Sequence, residues 1–232
     1  MKLLSIEADA KTSKNTKYGY ITGIQYLVPH ITNGFNACPM AEKAGCLNGC
    51  LESAGRGVFN NVKNARRDRM ELFLNDRDAY FNQLITEINA LIKKADRLKL
   101  KPAVRLNGIS DIQFEKINVL NTNRTIFDLF PNVQFYDYTK IPNRDDLPPN
   151  YDLTFSYSGV NGFDKYNQKA IKKGVRIAAV FRNVQSIPIK FIGRNVKGGD
   201  DHDLTFLHAK NTVLGLYAKG KAKKDYSGFV IN

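Results

Sequence analysis

Apolar positions along this chain follow two periods, and the change between them falls near Pro102. Before it, Phe81, Leu84, Ile85, Ile88, Leu91 and Ile92 recur at i, i+3, i+4 spacing, the stripe of an amphipathic helix. Asn75 or Asp76 is placed to cap this helix, with Asp76 and Asp78 at its start and Lys93 and Lys94 at its end, as the macrodipole favours. A second helical stretch runs from about Val58 to Leu72, and residues 18–28 read as a first strand or hairpin.

After Pro102 short apolar runs recur, each ending in a polar cluster. They cover residues 103–111, 133–140, 152–159, 176–183 and 212–220. Helical candidates lie between them at Gln113 to Leu120, Ile126 to Phe130 and Asp164 to Lys173. Strand, polar tip and helix in repetition is the pattern of a parallel sheet, and runs apolar on both parities suit strands covered on both faces. The expectation is α/β: a partial (βα) barrel of about six mostly parallel strands, with an open doubly wound sheet as the alternative. No linker interrupts it, so residues 1–232 are read as a single domain.

Composition adds boundaries. The chain is 43% hydrophobic and 25% charged, and no run is long enough to span a bilayer. Its first residues, MKLLSIEADAKTSK, pass from a short apolar patch directly into charge, without a signal-peptide core, which predicts a cytoplasmic protein. Lys and Arg outnumber Asp and Glu 35 to 22, a net charge of +13. Such an excess favours polyanions, and nucleic acid is one expected class of partner. The basic residues are nevertheless scattered: Arg66, Arg67 and Arg69, Lys93 to Lys101, Lys169 to Arg176 and Lys219 to Lys224.

Cysteine changes the picture most. All three, Cys38, Cys46 and Cys50, fall within thirteen residues of a Gly-bearing loop spanning about residues 36–57. Clustered thiols in a reducing compartment point to a soft metal, either zinc or an iron–sulfur cluster. The plain alternative is three buried thiols packing a loop. Three thiolates are one short of a closed tetrahedral site, so the fourth position is open to a substrate, cofactor or water. If the metal is zinc, His30, His202 or Asp111 supplies the fourth ligand. In parallel α/β folds the loops beyond the carboxyl ends of strands form the active face. This places the cysteines beside the tips NGISD (107–111), DYTK (137–140), SYSG (156–159) and FRN (181–183).

Each tip has a functional and a structural reading. Ser110 and Asp111 can accept from an ammonium, or cap a helix beginning at Ile112. Lys140 can bind a ligand carboxylate, or simply pair with Asp137. Ser156 and Ser158 share a parity and can hydrogen-bond a ribose, while Arg182 is a candidate anion clamp or a solvated strand end. The densest acidic cluster, GGDDHD (198–203), reads as a turn with Asp side chains bonding the backbone, or as a second metal site for magnesium or manganese. The sequence carries no G-x-S-x-G, Walker, dinucleotide-fingerprint or H-E-x-x-H motif.

A first strand, a three-cysteine loop and a helix opening a βα barrel resemble the layout of radical SAM enzymes. That resemblance implies a [4Fe-4S] cluster on Cys38, Cys46 and Cys50, with S-adenosylmethionine chelating the fourth iron and Asn107, Ser110 and Asp111 receiving its amino group. The spacing departs from the usual Cys-x3-Cys-x2-Cys, being Cys-x7-Cys-x3-Cys here. The strings CPMAEKAGCLNGCLESAGRG, VRLNGISDI, FYDYTK, NYDLTFSYSG and VKGGDDHD also resemble a bacteriophage family of the "gene product eighty-eight" type, over about Cys38 to Phe229. That likeness implies a phage protein acting in the host cytoplasm and a three-cysteine loop. It assigns no activity.

Overall fold

A computed structural model describes residues 1–7 and 11–232. Residues 8–10, where the N-terminal apolar patch gives way to charge, lie outside the described residues. In chain order the strands and helices are β1 (Leu4–Ile6), β2 (Tyr20–Gln25), β3 (Ile31–Thr32), β4 (Phe35–Asn36), α1 (Asn60–Asn75), α2 (Arg77–Leu98), β5 (Lys101–Arg105), α3 (Ile126–Leu129), β6 (Gln134–Thr139), β7 (Tyr151–Ser156), α4 (Asp164–Lys172), β8 (Ile177–Phe181), β9 (Lys190–Phe191), β10 (Arg194–Gly198) and β11 (Val213–Tyr217).

The amphipathic stripe becomes α2. Asp76 is its cap, its carboxylate accepting from the Ala79 amide at 2.9 Å, and Lys99 ends it in the left-handed region with φ 55°. Tyr80, Phe81, Leu84, Ile88, Leu91 and Ala95 are buried on one face of α2. Gly23 of β2 lets that face come close: a Cβ there would lie 3.2 Å from the side chains of Leu4 and Leu91.

The described strands include a nine-stranded sheet ordered β1-β2-β5-β6-β7-β8-β11-β10-β9. Six of them, β2, β5, β6, β7, β8 and β11, are adjacent in chain order and all parallel. Right-handed crossovers that always advance in one direction deliver their connections to one face. The core shows this. Residues of α1 and α2 pack with Val104, Phe135 and Leu153, and Ala170 of α4 packs with Phe155, Ile177, Ala179 and Phe181. The opposite face carries a smaller apolar group, Ala103, Tyr136 and Leu204 with Tyr20 and Phe206.

The expected parallel α/β pattern is therefore present, but the sheet has nine strands rather than about six. It does not close into a barrel: β1, antiparallel to β2, and β9, antiparallel to β10, form its two edges. The helix expected over Gln113 to Leu120 is not formed. A single 3-10 turn, Phe114–Lys116, stands there, and Leu120 and Asn121 have positive φ. No helix among the described residues is long and apolar enough to cross a membrane.

Candidate metal centre at the cysteine rim

The loop carrying the cysteines lies across the carboxyl ends of the parallel strands and is pinned there from several directions. The Asp111 amide, beyond β5, donates to the Ala37 carbonyl at 2.7 Å, and the Ser158 hydroxyl, beyond β7, donates to the Ala44 carbonyl at 2.7 Å. Gly45 has φ 65°, and a Cβ there would meet Val160 and Ser227 within 2.8 Å, so only glycine fits. Gly49 lies against Ala222 and Phe229 of the C-terminal segment.

All three cysteines are reduced and partly buried. The Cys38 thiol donates to the Ile109 carbonyl at 3.5 Å and the Cys46 thiol to the Ala41 carbonyl at 3.7 Å. Burial pushes the Cys38 thiol up to about 12, with further upward pressure from Asp111, Cys50 and Cys46. Burial likewise raises Cys50 to about 11; the Glu52 amide opposes the rise, while the Glu52 carboxylate and Cys46 add to it. Cys46 is also raised by burial, and the ammonium of Lys140 is the strongest influence acting against that rise. The thiols therefore stand close enough to feel one another's charge. They do not yet form a chelate: among the described residues, no group of three or more His, Cys, Asp or Glu side chains is placed to hold a metal ion.

Lys140 is the cation of this rim. It is buried, and its Nζ donates to the Ser156 hydroxyl at 3.0 Å, the Ser156 carbonyl at 3.1 Å and the Tyr157 carbonyl at 3.5 Å, all uncharged oxygens. The ammonium also lies 4.8 Å from the Phe229 ring centre and 5.7 Å from that of Phe163. Burial lowers its pKa, and Cys46 and then Asp111 act in the opposite direction. Lys140 does not pair with Asp137, as its sequence proximity suggested. The Asp137 carboxylate instead accepts from the Asn107 amide at 3.0 Å and the Tyr151 hydroxyl at 3.1 Å, and lies 3.6 Å from Arg105.

The NGISD tip is a self-contained knot. Asn107 Oδ1 accepts from the Ser110 hydroxyl and the Ile112 amide, both at 2.8 Å, and Asn107 Nδ2 donates to the Ile112 carbonyl at 3.0 Å. Asn107, not Ser110 or Asp111, thus receives the amide expected to start a helix. The Asp111 carboxylate accepts from the Lys140 amide at 2.8 Å and from Arg144 at 3.0 Å. Arg144 also bonds Glu115 through two nitrogens, at 2.9 and 2.6 Å.

The remaining candidates go elsewhere. Arg182 donates to the carbonyls of Lys223 and Asp225 and to Asn232 Oδ1, so it clamps the C-terminal segment. In GGDDHD, Asp200 accepts from the Tyr217 amide and Lys219, while Asp203 accepts from Arg105 and Tyr136. Asp200 and Asp203 also share Lys11, whose Nζ lies 3.9 Å from the first and 3.7 Å from the second. His202 stacks on His208 with centroids 5.0 Å apart, and His30 faces Glu42 at 3.3 Å. Two residues were missed. Arg144 sits on a loop with no pattern to mark it, and Arg66 hides in a basic run that reads as surface. Arg66 is only 7% exposed.

No curated protein and no solved structure matches the chain. A family model described as Gene product 88 matches residues 2–232. The motifs around the cysteine loop thus sit inside a likeness that spans nearly the whole sequence, and the chain belongs to the Gene product 88 family.

Proposed function

We propose that Cys38, Cys46 and Cys50 together bind an iron–sulfur centre of the [4Fe-4S] type at the carboxyl end of the sheet, leaving one iron for a small-molecule ligand. The observation that carries this reading is the company the thiols keep. They share one loop and feel one another's charge, and the buried Lys140 ammonium beside Cys46 has only neutral oxygens for hydrogen-bond partners. A buried cation of that kind is costly until a neighbouring group becomes anionic. Thiolates on a metal would supply that charge, and three soft sulfur donors suit an iron–sulfur cluster.

The strand order supports a fold of the radical SAM kind, with six parallel strands in sequence and the thiol loop after the first of them. The Asn107–Asp111 knot, assigned by resemblance to adenosylmethionine, spends the polar atoms of Asn107 and Asp111 inside the protein. The proposal therefore ends at a cluster with an open iron. Loading requires the Cys38 and Cys46 thiols to leave the carbonyls of Ile109 and Ala41, on a stretch made of turns.

The test is anaerobic reconstitution with iron and sulfide. A brown protein with about four iron and four sulfide per chain supports the proposal. A colourless protein holding one zinc, or iron retained equally by a variant with all three cysteines changed to serine, overturns it. The net charge of +13 favours a second reading, in which the surface holds nucleic acid. Its signature would be salt-sensitive binding that survives the cysteine substitutions.

A further inference from the structure

Arg66 projects from α1 toward the far side of the cysteine loop, where two nitrogens of its guanidinium find no hydrogen bond. Its Nε and Nη1 are buried and have no hydrogen-bond partner. The guanidinium lies 5.4 Å from the Tyr26 ring centre. The charged or ionisable groups that act on it are Tyr26, Glu52 and Cys50. Buried guanidinium nitrogens without hydrogen bonds forfeit donors that normally find partners. Such a group persists where something outside the chain completes it.

The surroundings fit that description. Gly57 lets the backbone lie directly against the guanidinium: a Cβ there would stand 3.2 Å from Arg66 Nη2 and 2.6 Å from the Glu52 carbonyl. The turn containing Cys50 and Glu52 also borders a cavity of about 470 Å³, lined by Leu47, Asn48, Cys50, Glu52, Ser53 and Lys221. Lys221 is the cation among its lining residues, and Arg66 lies behind the turn rather than in the lining. A cavity of this size accommodates a small organic ligand.

We propose that Arg66 is the recognition element for the anionic group, carboxylate or phosphate, of a small ligand that enters at the Cys50–Glu52 turn. Guanidinium is the side chain best matched to both oxyanions, because its planar donors meet two oxygens at once. The inference stands apart from the metal reading, since it concerns the charge of Arg66 and not what the thiols hold.

Thermal unfolding of the whole chain, without added iron, tests it. Wild type and R66M are compared in chloride, acetate and inorganic phosphate at matched ionic strength. The expected result is a saturable rise in wild-type Tm at millimolar acetate or phosphate, absent in R66M, with R66M in chloride as stable as wild type or more so. A response to acetate alone identifies a carboxylate ligand, and a response to phosphate alone a phosphorylated one. Phosphate also stabilises proteins by exclusion from their surfaces, so the difference between the two proteins is the readout. Equal responses in both, or no saturable response in wild type, overturns the proposal. If R66M does not fold, R66K takes its place: it keeps the charge but lacks the planar fork, and its response should need a higher anion concentration. A wild-type-like midpoint in R66K overturns the proposal as well.

Discussion

The ammonium of Lys140 and the hydroxyl of Ser156 meet at 3.0 Å, each one residue after the last paired positions of β6 and β7, Thr139 and Phe155. This contact holds a positive charge under the cysteine loop, with uncharged oxygens as the acceptors of its hydrogen bonds. Cys46 is the strongest charged influence on Lys140, and Lys140 on Cys46.

K140M should therefore make Cys46 less reactive. Burial already raises the Cys46 thiol, and Lys140 opposes that rise, so removing the ammonium moves the thiol further up. At any fixed pH less thiolate is present and alkylation slows. Site-resolved alkylation followed by mass spectrometry over a pH series measures this, with K140R retaining most of the wild-type profile. Cys38, on which Lys140 is not among the main influences, is the internal control. Superimposable Cys46 profiles in K140M and wild type would contradict the arrangement.

Much of this scaffold was readable before any coordinates. The apolar stripe of α2 and the apolar runs of the later strands carry their period in their own residues. What stayed hidden depends on partners distant in sequence. The edge strands β1 and β9 are only three and two residues long, and pairing rather than composition defines them. The helix expected after NGISD fails because Asn107 captures the Ile112 amide in a local knot. At the rim, the cysteine cluster announced itself. Arg144 did not: its role is set by Asp111 and Glu115, thirty-three and twenty-nine residues away. Arg66 escaped for a similar reason, since a basic run gives no sign of which member turns inward.

R144M should be among the most destabilising single substitutions at the rim. Its side chain is 1% exposed and bonds Asp111, Glu115 and the Tyr151 hydroxyl. Removing it leaves two largely buried carboxylates unpaired, a loss of about 3–5 kcal/mol. Urea unfolding reads the change. The double variant D111N/R144M should recover part of the loss, because one stranded charge is gone. If R144M unfolds within about 1 kcal/mol of wild type, the network is no more than a surface ion pair.

Asp137 gives the fold a pH signature. Burial raises its carboxyl from 3.8 to about 6, while Arg105 and the Asn107 amide work against the rise. Between those two values the native state holds a proton that the unfolded chain has released. The contribution of Asp137 to stability is therefore greatest at acid pH and is lost as pH rises through about 6. The unfolding free energy of wild type relative to D137N should decline across that window and level off above it. A difference independent of pH, or one that grows with pH, would show that Asp137 ionises freely in the folded protein.

Arg182 links the C-terminal segment to β8, and through it the cysteine loop. Its guanidinium bonds the carbonyls of Lys223 and Asp225 and the side chain of Asn232, and it covers the Tyr226 ring at 4.9 Å. Ala222 and Phe229, within that segment, are the residues on which Gly49 rests. The residue is only partly buried, so R182A should cost a modest amount, about 1–2 kcal/mol. The effect should be local: faster amide exchange over residues 219–231 and over the loop at 44–50, with α2 and β5 unchanged. Hydrogen exchange read by mass spectrometry separates these regions. Acceleration confined to the C-terminal segment, with the loop as protected as in wild type, would show that the loop is held from the strand ends through Ala37 and Ala44 without help from the C-terminal segment.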